Sequence, residues 1–155
     1  MAAVKITRPE NRLAKVMEGY EGATFGELVA ASERRLDTLS KDLRAYVLQQ
    51  SAEIIGFGGE SEDGLFERCK ALGDTAMNVA EVAGAAGLDA IGEVARGIRA
   101  MVDSLAVAGV WHTDGLKVHI AALAILIGKP ATPGKEIALM LGQLHAMRKS
   151  LGVVE

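Results

Sequence analysis

The sequence predicts an all-α protein, an antiparallel (up-down) helical bundle with a four-helix core and short flanking helices. Three observations predict it. Apolar residues recur at alternating steps of four and three along several segments, the period of a helix with one buried face. Capping residues precede these segments, and glycine or proline follows them. Aromatic residues make up only 4% of the chain while Ala and Gly are plentiful, which favours close-packed helices over a sheet. At 155 residues, half of them apolar, the chain is long enough for one domain with a core that needs neither metal nor disulfide.

Thr7-Arg8-Pro9-Glu10 forms a capping box with Pro near the first helical position, so a short helix is expected to about Met17. Gly19 and Gly22 end it, which sets residues 1–22 apart as an N-terminal arm before a bundle domain over 23–155. Thr24-Phe25-Gly26-Glu27 is a second capping box. Behind it, Phe25, Val29, Ser32, Leu36, Leu39, Leu43 and Tyr46 make one continuous seam, expected to face inward, and Gly56-Phe57-Gly58-Gly59 is expected to be a flexible loop. Ser61, with Glu62 and Asp63 after it, starts the next helix, because the hydroxyl caps free amides and the acids complement the helix dipole. Its seam is Leu65, Cys69, Leu72, Ala76, Val79 and Ala83, unbroken until Gly84.

Leu88, Ile91, Val94, Ile98, Met101 and Leu105 mark a further helix that ends near Gly109. Gly73, Gly84, Gly92 and Gly97 lie within or beside these two helices. Each interior glycine costs about 1 kcal/mol against Ala, so their accumulation points to backbones in close approach. Thr113-Asp114 opens a helix with His112, Leu116, His119, Leu123 and Leu126 on its inner stripe, closed by Gly128 and Pro130. Thr132-Pro133 opens the last, with Ile137, Met140, Leu144 and Leu151 inward. The expectation is five main helices joined by short connections, which favour antiparallel neighbours.

The formal charge of −3 is unevenly placed, since residues 21–128 hold 9 basic and 16 acidic side chains between two mildly basic ends. An acidic body argues against nucleic acid as a partner. The uncharged run over residues 118–128 is far short of the ~20 apolar residues of a membrane span. One cysteine cannot form an internal disulfide, and the charged start of the chain does not resemble a signal peptide. A cytoplasmic location is therefore expected.

The chemistry-bearing residues are few. His112 and His119 are seven apart, whereas helical metal pairs prefer a spacing of four, so no metal site is expected. His119 sits among apolar neighbours as a core-edge residue with a bonded ring nitrogen. His112 reads as a helix-start residue. His145, with Arg148 and Lys149 a turn on, has the cation that a phosphohistidine would need, although a cationic last turn also serves the helix C-terminus. Cys69 lies between two cations, Arg68 and Lys70, the setting of a reactive thiol, but its seam position predicts burial. No nucleophile–base arrangement and no phosphate loop is readable, so the chain is expected to be neither an enzyme nor a cofactor binder.

The run Leu65-Phe66-Glu67-Arg68-Cys69-Lys70-Ala71-Leu72-Gly73-Asp74 resembles the histidine-bearing helix of bacterial histidine phosphotransfer (Hpt) domains. Leu65 and Phe66 match that helix's apolar pair, and Gly73 its glycine. The histidine's place falls on Lys70 or Cys69, and the lysine's on Gly73 or Leu72, so neither chemical residue is carried over. Residues 9–13, 31–46, 88–105 and 117–123 are similar to Hpt-like proteins of alphaproteobacteria.

The resemblance implies a degenerate module that docks a response-regulator receiver domain without transferring phosphate. The docking face would hold Glu67, Lys70, Ala71, Gly73 and Asp74, with Lys70 where the phosphohistidine normally faces an acidic receiver pocket. His145 or His112 would be the residue for any phosphotransfer that remained. The alternative is a structural or oligomerisation bundle with no receiver partner, in which a seam such as Phe25 to Tyr46 pairs across a homodimer.

Overall fold

Periodicity and caps translate directly into helices. In a computed structural model describing residues 24–129 and 132–153, every regular element is helical, and there is no strand among the described residues. The order is α1 (Phe25–Gly56), a 3₁₀ turn (Phe57–Gly59), α2 (Glu62–Glu67), α3 (Cys69–Val82), α4 (Asp89–Ala108), α5 (Thr113–Gly128) and α6 (Gly134–Ser150). No described helix is long and apolar enough to cross a membrane. The expected N-terminal arm and its capping box lie outside the described residues.

The chain divides into two compact units, residues 1–37 and 38–155. Of the first, the start of α1 is described. Thr24 and Glu27 form the expected capping box there: the Thr24 amide donates to Glu27 Oε2 at 2.6 Å, and the Glu27 amide donates to Thr24 Oγ1 at 3.3 Å. The seam of this helix departs from expectation. Phe25, Val29, Leu36, Leu39 and Tyr46 are exposed, and the residues of α1 that are buried are Val47, Ser51 and Ile54. A regular spacing fixes which residues share a face, but only a neighbour can bury that face.

In the second unit, α4 packs against α3, α5 and α6. Its small residues permit this. A Cβ on Gly92 would lie 3.0 Å from that of Ala83, and one on Gly73 would lie 3.0 Å from Val102 Cγ1, so the backbones of α3 and α4 approach closely at these points. This places the partner contacts of two of the four glycines. Ile91, Val94, Ile98 and Met101 are buried on α4, as are Leu116, Leu123 and Leu126 on α5 and Leu144 on α6. Each such side chain contributes roughly 1.5–3 kcal/mol by leaving water. Gly109 ends α4 in the left-handed region at φ 65°, and its amide donates to the Leu105 carbonyl.

Two local expectations are corrected. Gly56 to Gly59 is no loose loop: α1 runs through Gly56, and Phe57 is buried in the 3₁₀ turn that follows. The helix expected over residues 61–83 is two helices, because the backbone at Arg68 leaves helical geometry (φ −102°, ψ 8°). Arg68 is anchored at that break. Its guanidinium pairs with Glu60 and lies 4.4 Å above the Phe57 ring. Ser61 caps α2 as expected, with its Oγ accepting from the Gly64 amide at 3.2 Å.

Candidate functional site

The sequence marks residues 67–74 as the candidate site, and they straddle the break between α2 and α3. Glu67, Lys70, Ala71 and Asp74 are exposed. Gly73 is not. It is buried, turned toward Val102 and Arg99 of α4, which removes it from any outward docking face and gives it a packing role. The seam dictates this, since Gly73 directly follows the buried Leu72 and lies three residues before the buried Ala76. Cys69 is half-buried against the core, near its expected place.

Charge on this face is ordered as an alternating chain. Lys70 Nζ donates to Asp74 Oδ2 at 2.7 Å, a step of one helical turn. Arg99 of α4 bridges two carboxylates, with Nη1 3.4 Å from Asp74 Oδ1 and Nε 2.8 Å from Asp103 Oδ2. The Lys70 hydrogen bond, helped by the Arg99 charge, holds the Asp74 carboxyl below the usual carboxylate range. Solvent screens these exposed pairs, so they add little to stability. A cleft of about 360 Å³ beside them is lined by Cys69, Lys70 and Asp74 with Arg99 and Val102.

Arg99 and Asp103 also line a second and larger cavity, of about 440 Å³, bounded by α3, α4 and α6. His145 and Arg148 of α6 reach it together with Arg96. His145 is exposed, as a phosphoacceptor would need to be. His112 is half-buried, and its Nε2 lies 3.2 Å from the Leu151 carbonyl, to which it donates in that tautomer.

A buried polar arrangement centres on His119, which the sequence placed at the core edge with a bonded ring nitrogen. His119 is fully buried, its Nδ1 donates to the Gly115 carbonyl at 2.9 Å, and its Nε2 accepts from Arg148 Nη1 at 3.1 Å. Burial pushes the imidazole below its ordinary pKa; the Gly115 bond opposes this, and the Arg148 charge adds a smaller push in the same direction as burial. The ring is therefore neutral, which is the state that can accept from a guanidinium. Gly97 makes the arrangement possible. A Cβ there would stand 2.5 Å from Arg148 Nη1 and 2.9 Å from His119 Cδ2. The bonded nitrogen of His119 was legible from its apolar neighbours. Its partner was not, because Arg148 reads as a solvent-facing cation. The one available signal was a glycine inside a helix, beside the seam residue Ile98.

Compared with known proteins, the chain matches no family model, and no curated protein or solved structure matches it. The functional reading therefore rests on the residues of this face and their chemistry.

Proposed function

We propose that the chain is a non-catalytic interaction module of two-component or chemotaxis signalling, acting in the cytoplasm, that docks a response-regulator receiver domain through the outer face of α3. The observation that carries this reading is the placement of Lys70. Its side chain is 88% exposed on the first turn of α3, and its ammonium is held by Asp74 one turn on. By the Hpt resemblance, this is where a phosphohistidine would face a receiver's acidic pocket. A fixed lysine offers that pocket a charge-complementary contact and has no phosphoryl group to transfer. Glu67, Ala71 and Asp74 complete the face, and Gly73 supports it from behind.

The reading includes an up-down core of α3, α4, α5 and α6. It is supported by the order of contacts. Gly73 and Ala83 meet Val102 and Gly92, and Gly97 and Gly115 meet His119 and Met101, so rising numbers on one helix pair with falling numbers on the next.

The experiment is a binding screen of the purified chain against the receiver domains of the host, with and without a phosphoryl mimic, followed by a phosphotransfer assay on any hit. Binding without transfer is expected, and Lys70→Glu is expected to abolish it while leaving helicity and thermal unfolding unchanged. Unchanged affinity in Lys70→Glu would remove the docking face. Phosphate retained on the chain and lost in His145→Gln would replace this reading with residual phosphotransfer.

A further inference from the structure

The cavity of about 440 Å³ bounded by α3, α4 and α6 has chemistry of its own. All its lining residues belong to the compact unit 38–155. Part of the lining is apolar, with Met77 and Ala80 from α3 and Ala100 from α4. The rest is charged. Arg96 and Arg99 lie three residues apart on one face of α4, and Arg148 reaches the same space from α6.

The guanidinium groups are positioned by bonds to the protein. Arg96 donates through Nη1 to the Ala80 carbonyl at 3.2 Å and through Nη2 to Glu93 at 2.6 Å. Arg99 donates to Asp103 through Nε and to Asp74 through Nη1. Arg148 donates to His119 at 3.1 Å. A guanidinium carries five N–H donors, so the two bonds made by each of Arg96 and Arg99 orient the group with donors to spare. Like charges about one turn apart on a helix repel, and an anion bound between them relieves that repulsion.

The lining also selects among anions. The fork of a guanidinium matches a carboxylate with two parallel hydrogen bonds. Glu93 and Asp103 stand in the same lining and would oppose a second negative charge on the ligand. Met77, Ala80 and Ala100 offer apolar surface to the remainder of the molecule. The volume is that of a small-molecule pocket, in the range of roughly 300–1,000 Å³.

We propose that this cavity binds a small monocarboxylate with an apolar body, its carboxylate on Arg96 and Arg99 and its hydrocarbon against Met77, Ala80 and Ala100. The site is independent of receiver docking, because none of Glu67, Lys70, Ala71 and Asp74 lines the cavity.

The test is an NMR titration of the full chain with four probes: octanoate, acetate, octanol and inorganic phosphate. Octanoate is expected to bind saturably, to shift the Met77 methyl and His145 ring resonances, and to bind at least about tenfold more tightly than the other three. Arg96→Gln and Arg99→Gln each remove one charge and are expected to weaken octanoate about tenfold while leaving octanol unchanged. Met77 is 43% exposed, so Met77→Glu is expected to keep the fold and to abolish octanoate binding by setting a carboxylate on the apolar wall. Absence of saturable octanoate binding would overturn the proposal. So would acetate or phosphate binding as tightly as octanoate, or octanoate affinity unchanged in both arginine variants at wild-type helicity by circular dichroism. Octanoate shifts confined to the apolar stripe of α1 would overturn it equally.

Discussion

Between Phe25 and Tyr46, α1 carries a seam at helical spacing, as α4 does between Ile91 and Leu105. On α4 these residues are buried or half-buried, whereas on α1 Phe25, Leu36 and Leu39 stand in solvent. The difference lies in what surrounds each stripe. Around its seam, α4 sets Gly92, Ala95 and Gly97, all buried, so that neighbouring helices can lie against its backbone. Beside its own, α1 sets Glu33, Arg35 and Asp42, charged side chains that are all exposed. An apolar stripe with small neighbours is covered within its own chain. On α1, with charged neighbours, the stripe stays largely exposed.

The largest effect expected from this contrast is on stability. Ile98→Ala opens a cavity at a fully buried position of α4 and is expected to cost about 4 kcal/mol. Leu36→Ala removes a similar side chain from the exposed stripe and is expected to cost about 0.5 kcal/mol or less. Urea unfolding followed through the single tryptophan, Trp111, measures both. Equal costs would mean that the α1 stripe is covered within the monomer, and the contrast would fail.

A glycine pair gives a sharper version, because the two changes are expected to differ in sign. Alanine is favoured over glycine in a helix by about 1 kcal/mol. At Gly26 of α1, a new Cβ meets nothing within 4 Å, so Gly26→Ala is expected to stabilise by a few tenths to about 1 kcal/mol. At Gly97 the same Cβ collides with His119, which is fully buried and cannot move aside, and with Arg148. Gly97→Ala is expected to destabilise by about 2 kcal/mol net of the helix gain. Thermal unfolding of the two variants decides the matter, and a stabilised Gly97→Ala would show that the close approach of α6 to α4 is dispensable.

Much of this arrangement could be read from the sequence, and the failures share a physical cause. The all-helical class, the caps at Thr24 and Ser61, the stop at Gly109 and the buried faces of α3, α4 and α5 all follow from short-range pattern. What could not be read depends on contacts distant in sequence. The break at Arg68 is held by Glu60 and Phe57, and Arg68 looks like any other helical arginine. Arg148 looks like a dipole-complementing cation until α5 brings His119 beside it. Of the candidate site, the exposure of Glu67, Lys70, Ala71 and Asp74 was legible. The inward turn of Gly73 was misjudged because an analogy placed it, when the seam spacing already pointed it at α4.

Protonation probes the buried core directly, since the fold opposes the charging of His119. In the folded chain His119 stays neutral below its ordinary pKa of 6.5, because burial, with a smaller push from Arg148, outweighs the Gly115 bond. The unfolded chain takes up that proton as pH falls through 6.5, and the folded chain resists. This contribution to stability is complete above pH 6.5 and is lost as pH falls toward the depressed folded pKa, at up to about 1.4 kcal/mol per pH unit. Chemical denaturation at pH 7.5 and 5.5 is expected to show the loss, and His119→Gln is expected to remove that part of it. An unchanged pH slope in the variant would mean that other groups carry the dependence.

The smallest effect concerns Gly73, where packing and docking make opposite claims on one residue. An added Cβ would lie 3.0 Å from Val102 Cγ1 and 3.4 Å from Arg99 Nη1. The crowding of Val102 opposes a helix gain of about 1 kcal/mol, so Gly73→Ala is expected to shift stability by less than about 1 kcal/mol in either direction. Its side chain would point into the α3–α4 contact and leave Lys70, Ala71 and Asp74 untouched on the outer face. Receiver affinity is therefore expected to stay within about twofold, well under 1 kcal/mol. A Gly73→Ala chain of wild-type stability with clearly weakened receiver binding would instead place Gly73 at the docking contact and require α3 to turn when it binds.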